Sequence, residues 1–250
     1  GNANAYIGGP EHIAFAKVKG GKPVRAIITL SIRANSFVSV RTGVEVDPSK
    51  SFADNIKGKK IAVGTRGSTD NSILLYLAKR DGLDPRKDFV MLEIANDAGR
   101  VAAMKNGEAD MAVVFEPFIA QGVKAGIWQE PFASMPKELG LFAWTTVNLP
   151  QSLIQSDPEL AKAVVAATKK SLDLVFNNDA EMRAIAAEEF PTLPKDDLDA
   201  ILTRARANDM WQQDGAMPEE AWDKTKSIIT ISGVLKEDVP YKDVFDPEFL

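Results

Sequence analysis

The sequence predicts an α/β protein of two lobes, with mostly parallel sheets, flanking helices and a helical C-terminal tail. Three observations carry this. In the first half, short apolar runs alternate with helix-period patterns, as βα units do. From about residue 157 the strand signals almost vanish and near-continuous helix takes over. The 250 residues, 45% of them hydrophobic, are enough for one large domain or for two lobes with separate cores.

In chain order, strands are expected at Ala3–Gly8, Val24–Leu30, Phe37–Arg41, Lys60–Gly64, Phe89–Ile94 and Asp110–Phe115. Ser68 or Thr69 can cap a helix whose apolar stripe is Ile73, Leu74, Leu77 and Ala78, with Gly82 placed to end it. A shorter helix runs from Asp97 to Asn106 and stops at Gly107. The tail reads as helices at Asp157–Phe176, Ala180–Phe190, Lys195–Ala207 and Pro218–Ser232, separated by Pro, Asn and Gly. Residues 43–145 are read as one lobe inserted into another made of 1–42 and 146–250, with a hinge at two crossings near Phe37–Thr42 and Ala143–Asn148.

Composition narrows the chemistry. No run approaches the roughly 18 to 20 apolar residues that span a bilayer. Thirty basic against 35 acidic residues give a net charge of −5 without a clustered basic face, which disfavours a general nucleic-acid binder. With no cysteine, a disulfide, a thiolate metal site and a cysteine nucleophile are excluded. His12 is the only histidine, so a multi-histidine metal site is excluded too, and no cofactor is expected. Gly1-Asn2-Ala3-Asn4-Ala5 lacks the basic start, apolar core and cleavage site of a signal peptide.

Four loops are candidates for ligand contact. Gly64-Thr65-Arg66-Gly67-Ser68-Thr69 follows an expected strand and opens a helix, so its N–H groups and the helix dipole can hold an anion. Ser68 and Thr69 add hydroxyls and Arg66 a positive charge; the plain alternative is an ordinary capped turn. Gly8-Gly9-Pro10-Glu11 repeats this strand-to-helix geometry at the start of the chain. Glu116-Pro117 lies beyond the Asp110–Phe115 strand, at the strand end where open α/β sheets place ligands. Glu116 there either lines a cleft or serves its own helix N-terminus. Arg33 and Asn35 sit in the loop before the first crossing, where an arginine either grips an oxyanion or is solvated. His12 reads as a helix-surface or cleft-rim residue, with a ligand contact as the alternative, and Trp144 as a buried hinge aromatic, with stacking on a planar ligand as the alternative. Trp128, Trp211 and Trp222 read as packing.

Several of these stretches together resemble one family. Asp54-Asn55-Ile56-Lys57-Gly58-Lys59-Lys60-Ile61-Ala62-Val63 resembles the conserved block of nitrate/sulfonate/taurine-type substrate-binding proteins of ABC importers. Gly82-Leu83-Asp84-Pro85, Ala102 through Asp110, Phe115-Glu116-Pro117, Ala125-Gly126, Asp157-Pro158-Glu159-Leu160 and Asp246 through Leu250 continue the likeness in order. The resemblance implies a type II periplasmic-binding-protein fold and a hinged cleft closing on a small, anionic molecule. It implies no catalysis, an ABC permease with a separate ATPase subunit as partners, and a periplasmic or extracytoplasmic location, with a lipid anchor in the full-length protein as an option. Gly1-Asn2-Ala3-Asn4-Ala5-Tyr6 resembles the end of a helix that the family places about fifty residues in. A longer parent chain, or a second chain supplying the missing wall, is therefore expected. Thiamine-pyrimidine synthases are a rival on the same fold, but their iron and cysteine motifs have no counterpart here. Gly64-Thr65-Arg66-Gly67-Ser68 also resembles the start of porphobilinogen deaminase, which needs a cysteine. A ligand-sensing effector domain of a regulator is the third alternative.

Overall fold

The computed structural model describes residues 3–250. In chain order the elements are β1 (Tyr6–Gly8), α1 (Glu11–Val18), β2 (Val24–Ser31), β3 (Phe37–Val40), α2 (Phe52–Ile56), β4 (Lys60–Val63), α3 (Thr69–Arg80), β5 (Val90–Glu93), α4 (Asp97–Lys105), β6 (Met111–Val114), α5 (Phe118–Lys124), β7 (Ala133–Ser134), α6 (Met135–Leu139), β8 (Thr145–Pro150), α7 (Gln151–Ser156), α8 (Pro158–Asn177), α9 (Asp179–Glu189), α10 (Lys195–Ala207) and α11 (Glu219–Ile231), followed by 3-10 turns at Tyr241–Asp243 and Pro247–Phe249. The expected strands and helices are present with ends shifted by a few residues, and α10 has the expected bounds.

The chain divides into two compact units. One comprises the chain through Ala34, Leu139–Ser227 and Leu235–Leu250; the other comprises Asn35–Glu138 and Ile228–Val234. The chain thus changes unit at 34/35, 138/139, 227/228 and 234/235. Both segments expected as crossings contain strand, which for Phe37–Arg41 was itself expected. Phe37–Val40 is β3, bonded to β6 and β7, and Thr145–Pro150 is β8, bonded to β1 and β2. An apolar run shows that a segment is buried but not which sheet it joins.

In the first unit the sheet order is β1-β8-β2, with β8 antiparallel to both neighbours. Ile27 and Ile28 of β2 and Val147 and Leu149 of β8 pack with Ile154 of α7 and with Ala161, Val165 and Leu172 of α8. α8 starts cleanly because the Asp157 side chain accepts from the Leu160 N–H at 3.0 Å and Pro158 supplies a preset φ. Asn178 does the same for α9, accepting from the Glu181 N–H at 3.2 Å. α9 and α10 share a smaller cluster of Met182, Leu198 and Leu202.

In the second unit the order is β5-β4-β6-β3-β7. β4 is parallel to β5 and β6, while β3 is antiparallel to β6 and β7. Mostly parallel sheets were expected, so strand direction is corrected in both units: the three-stranded sheet is wholly antiparallel and the five-stranded one is mixed. Helical crossovers fix parallel pairing for consecutive units such as β4-α3-β5, and β3 and β8 reach their neighbours by other routes. The core here is Phe37, Ala62, Ala112 and Val114 of the sheet with Ala103 and Met104 of α4, Ile119 of α5 and Trp128. A Cβ on Gly122 would lie 2.0 Å from the Trp128 ring, so only glycine lets α5 rest on the indole.

Candidate functional site

Strand register gathers six of the expected residues at one end of the five-stranded sheet. Val63 pairs with Glu93 and Phe37 with both Val114 and Ser134. The segments leaving β4 and β6 and the one entering β3 therefore meet there, carrying Arg66, Gly67, Ser68 and Thr69, then Glu116, then Asn35. Ser36 and Ser72, which sequence reasoning missed, also belong to this end: one precedes β3 and the other lies in the first turn of α3. Both are buried, and neither hydroxyl has a hydrogen-bond partner among the described residues. Small polar residues beside expected loops were the available signal.

The Gly64–Thr69 loop differs from the open anion cradle expected of it, because the protein's own carboxylates fill it. Asp70 Oδ2 accepts from the Gly64 N–H at 3.0 Å, and Asp70 Oδ1 accepts from the Ser68 hydroxyl at 2.5 Å. A Cβ on Gly64 would meet Asp70 Oδ1 and Ser68 Oγ, each at 2.4 Å. The Arg66 N–H donates to Glu93 Oε2 at 2.9 Å, and the Ser68 N–H to Thr65 O at 3.0 Å. Ser68 is the N-cap of α3 by position, but its hydroxyl serves Asp70 and not the helix backbone. Asp70 in turn is balanced by Arg100 of α4, whose Nη1 lies 2.8 Å from Asp70 Oδ2. Asp97 lies 3.4 Å from the same Nη1, and burial pushes its carboxyl above the ordinary value while Arg100 opposes the rise. The exposed residues of the loop are Thr65, Arg66 and Gly67, and the Gly67 φ of +93° requires glycine.

Glu116 is half-buried, and its Oε2 accepts from the Ala120 N–H at 3.2 Å, so it serves the start of α5. This is the helix-terminus role weighed for it, on the same sheet end as Arg66.

In the first unit, Gly8 pairs with Thr146 and Ser31 with Thr145, which brings Gly8, Gly9, Pro10, Glu11 and Arg33 to one end of the antiparallel sheet. Two buried β8 side chains hold the first strand: the Thr146 hydroxyl donates to Gly8 O at 3.0 Å and Asn148 Nδ2 to Tyr6 O at 3.3 Å. Glu11 is 4% exposed and folds back over the loop; a Cβ on Gly9 would lie 2.1 Å from its Oε2. Here too a carboxylate of the chain lies where an anion was expected. Burial and then the Glu11 charge push the Tyr6 hydroxyl up to about 12. Arg33 is half-buried; its Nη1 donates to Ile32 O at 3.1 Å and its backbone N–H to Ser31 Oγ at 3.3 Å. His12 is on the helix surface as expected, its Nδ1 3.2 Å from Gly9 O. Trp144 is half-buried, not buried, and packs against Phe142 with ring centroids 5.8 Å apart. Trp128 and Trp222 are buried packing residues, as expected.

Among the described residues, no group of three or more His, Cys, Asp or Glu is arranged to hold a metal, and no helix is long and apolar enough to cross a membrane.

Residues 4–189 match the NMT1-like family, and the chain belongs to that family. The chain is 24% identical over 242 residues to YtlA of Bacillus subtilis (strain 168), whose name gives it a binding role without a ligand; the match covers 96% of this chain and 71% of that protein. It is 22% identical over 208 residues to the nitrate/nitrite binding protein NrtA of Synechocystis sp., covering 76% of this chain and 44% of that one. The alkanesulfonate-binding protein SsuA of Xanthomonas axonopodis pv. citri, solved bound to MOPS, has the same fold, with a TM-score of 0.73 at 17% identity over 97% of this chain and 80% of that one. The desulfurization enzyme DSZB also shares the fold, with a TM-score of 0.68 at 14% identity over 99% of this chain and 84% of that one. Binding proteins and an enzyme therefore use one fold, and function has to be argued from the site.

Proposed function

We propose that this chain is an extracytoplasmic solute-binding protein that presents a small anionic ligand, such as a sulfonate, nitrate, a carboxylate or an aromatic acid, to an ABC importer. The observation that carries the reading is the gathering of Arg66, Ser36, Ser72 and Glu116 at one sheet end, supported by the family's named binding proteins. Because Asp70 and Glu93 already accept from backbone N–H groups of the Gly64–Thr69 loop, the ligand's anionic group is assigned to the Arg66 guanidinium. Guanidinium suits a planar or tetrahedral oxyanion because it offers paired N–H donors. Asn35 and Gly67 through Thr69 supply the surrounding polar surface on the same unit, while Gly8 through Glu11 and Arg33 are the candidates for ligand contact on the other unit. Binding biases the protein toward a liganded form by its differential affinity, and a permease with a separate ATPase subunit reads that form.

A thermal-shift series tests this. Nitrate, alkanesulfonates, simple carboxylates and aromatic acids are added to the wild type and to Arg66→Gln. At a hundred times Kd, a true ligand adds about 2.7 kcal/mol of stability and raises Tm measurably. The expected result is a rise with at least one class that shrinks in Arg66→Gln. A series in which no compound raises Tm overturns the proposal.

A further inference from the structure

A cationic pocket lies at the opposite end of α1 from Gly8–Glu11. It is a cavity of about 200 Å³ lined by Lys17, Lys22, Arg25, Gln151 and Asp243 with the Gly21 backbone. It is far larger than the roughly 10–15 Å³ that admits one water. The eight residues of α1 separate it from the first loop by about 12 Å of helix rise.

Its charge balance is unusual for a chain of net charge −5. Three cations, Lys17, Lys22 and Arg25, face one carboxylate, Asp243, which leaves two positive charges in excess. Lys17 pairs with Asp243, and that hydrogen bond, with the further pull of Lys242 and Arg25, holds the Asp243 carboxyl below its ordinary value. Lys22 is exposed at the rim and has no ion-pair partner among the described residues. Arg25 Nη2 donates to Phe245 O at 3.2 Å, and Arg25 Nε is buried with no hydrogen-bond partner among the described residues. A guanidinium that lines a cavity offers paired N–H donors to an oxyanion.

The C-terminal dipole of α1 works against an anion here, and the chain blunts it. The Phe15, Ala16 and Lys17 carbonyls accept from the N–H groups of Lys19, Gly21 and Gly20 at 3.2, 2.7 and 3.0 Å. A Cβ on Gly21 would lie 2.9 Å from Ala16 O, so glycine permits this closure. A helix end carries about half a negative charge, and the two unbalanced cations outweigh it.

We infer that this pocket binds a phosphate- or sulfate-like oxyanion, held by Arg25, Lys22 and Gln151, at a site separate from the sheet ends assigned to the transported solute. The experiment is a titration of the whole chain with inorganic phosphate at low ionic strength, followed by amide chemical shifts. Vesicles of anionic phospholipid form a parallel arm. Saturable shifts centred on Gly21–Arg25 and Gln151 are expected. Lys22→Gln should weaken binding about threefold to fivefold, and Asp243→Asn should strengthen it by a similar factor. Arg66→Gln should leave it unchanged. Saturation by free phosphate identifies a soluble ion; vesicle binding that Lys22→Gln reduces, with free phosphate only weakly bound, identifies a lipid headgroup with the same chemistry. Absence of saturable shifts in both arms, or shifts that Lys22→Gln leaves untouched, overturns the inference. Arg25→Gln risks the Phe245 contact and is therefore read only if it folds.

Discussion

Arg100 Nη1 lies 2.8 Å from Asp70 Oδ2, and both side chains are 4% exposed. The same arginine donates to Val113 O at 2.8 Å and to Ile94 O at 3.1 Å, so one guanidinium ties the start of α3 to β6 and to the exit of β5. Removing one partner of such a pair leaves an uncompensated buried charge. Asp70→Asn should destabilise the protein by about 3–5 kcal/mol, read as a lower urea midpoint. Arg100→Lys should do little better, because an ammonium has no fixed fork with which to reach the carboxylate and both carbonyls. A loss under about 1 kcal/mol in both variants would show the pair to be solvated.

Gly64→Ala tests whether Asp70 fills the loop as described. The new methyl would overlap Asp70 Oδ1 and Ser68 Oγ, so the carboxylate must move off the Gly64 N–H. A loss of about 1–3 kcal/mol is expected. The effect should largely vanish in an Asp70→Leu background, where neither the carboxylate nor its bonds remain. Gly43→Ala is the control: its φ is +88° but nothing lies within 4 Å, so only the backbone term of about 1–2 kcal/mol applies. Additivity of Gly64→Ala with Asp70→Leu would refute the coupling.

These interactions mark where sequence reasoning stopped. Helix ends were legible because caps and breakers are local: Gly82 and Gly107 follow α3 and α4 with positive φ, and Asn96 caps α4 by accepting from the Gly99 N–H at 2.8 Å. Strand β8 was not legible as strand, since Thr145–Pro150 joins a sheet whose other members lie more than a hundred residues earlier. The loops with ligand potential were found, but their inner filling was not. Asp70 could be read as an acidic first-turn residue, yet its balance by Arg100 depends on a contact thirty residues away that no spacing reveals. Glu11 was read as part of a cradle that its own carboxylate occupies.

Asp97 gives a pH dependence. Its folded-state value is raised, chiefly by burial, above the roughly 3.9 of an unfolded aspartate. As pH falls through the interval from that raised value down to the ordinary one, the folded chain takes up this proton before the unfolded chain does. The residue therefore favours folding increasingly on acidification, and its charge disfavours folding above the interval. Comparing Asp97→Asn with the wild type across pH 3–7 in urea, the wild type should gain relative stability as pH falls. A relative loss over that span would mean that Arg100 dominates the carboxyl and reverses the sign.

The division into two units can be tested through two tryptophans. Trp222 is fully buried in the first unit and its Nε1 donates to Val239 O at 3.0 Å; Trp128 is buried in the second and donates to Ile119 O at 3.1 Å. Either replacement by Phe leaves a small void, and Trp222→Phe also leaves the Val239 carbonyl unmet, at a cost of about 1–3 kcal/mol. If each unit opens on its own, the cost stays local. Trp222→Phe should then speed amide exchange in β2 and β8 while sparing β4 and β6, and Trp128→Phe should do the reverse. Native-state hydrogen exchange separates the cases. Equal acceleration in both sheets by either variant would mean that the chain opens as one cooperative body despite its two cores.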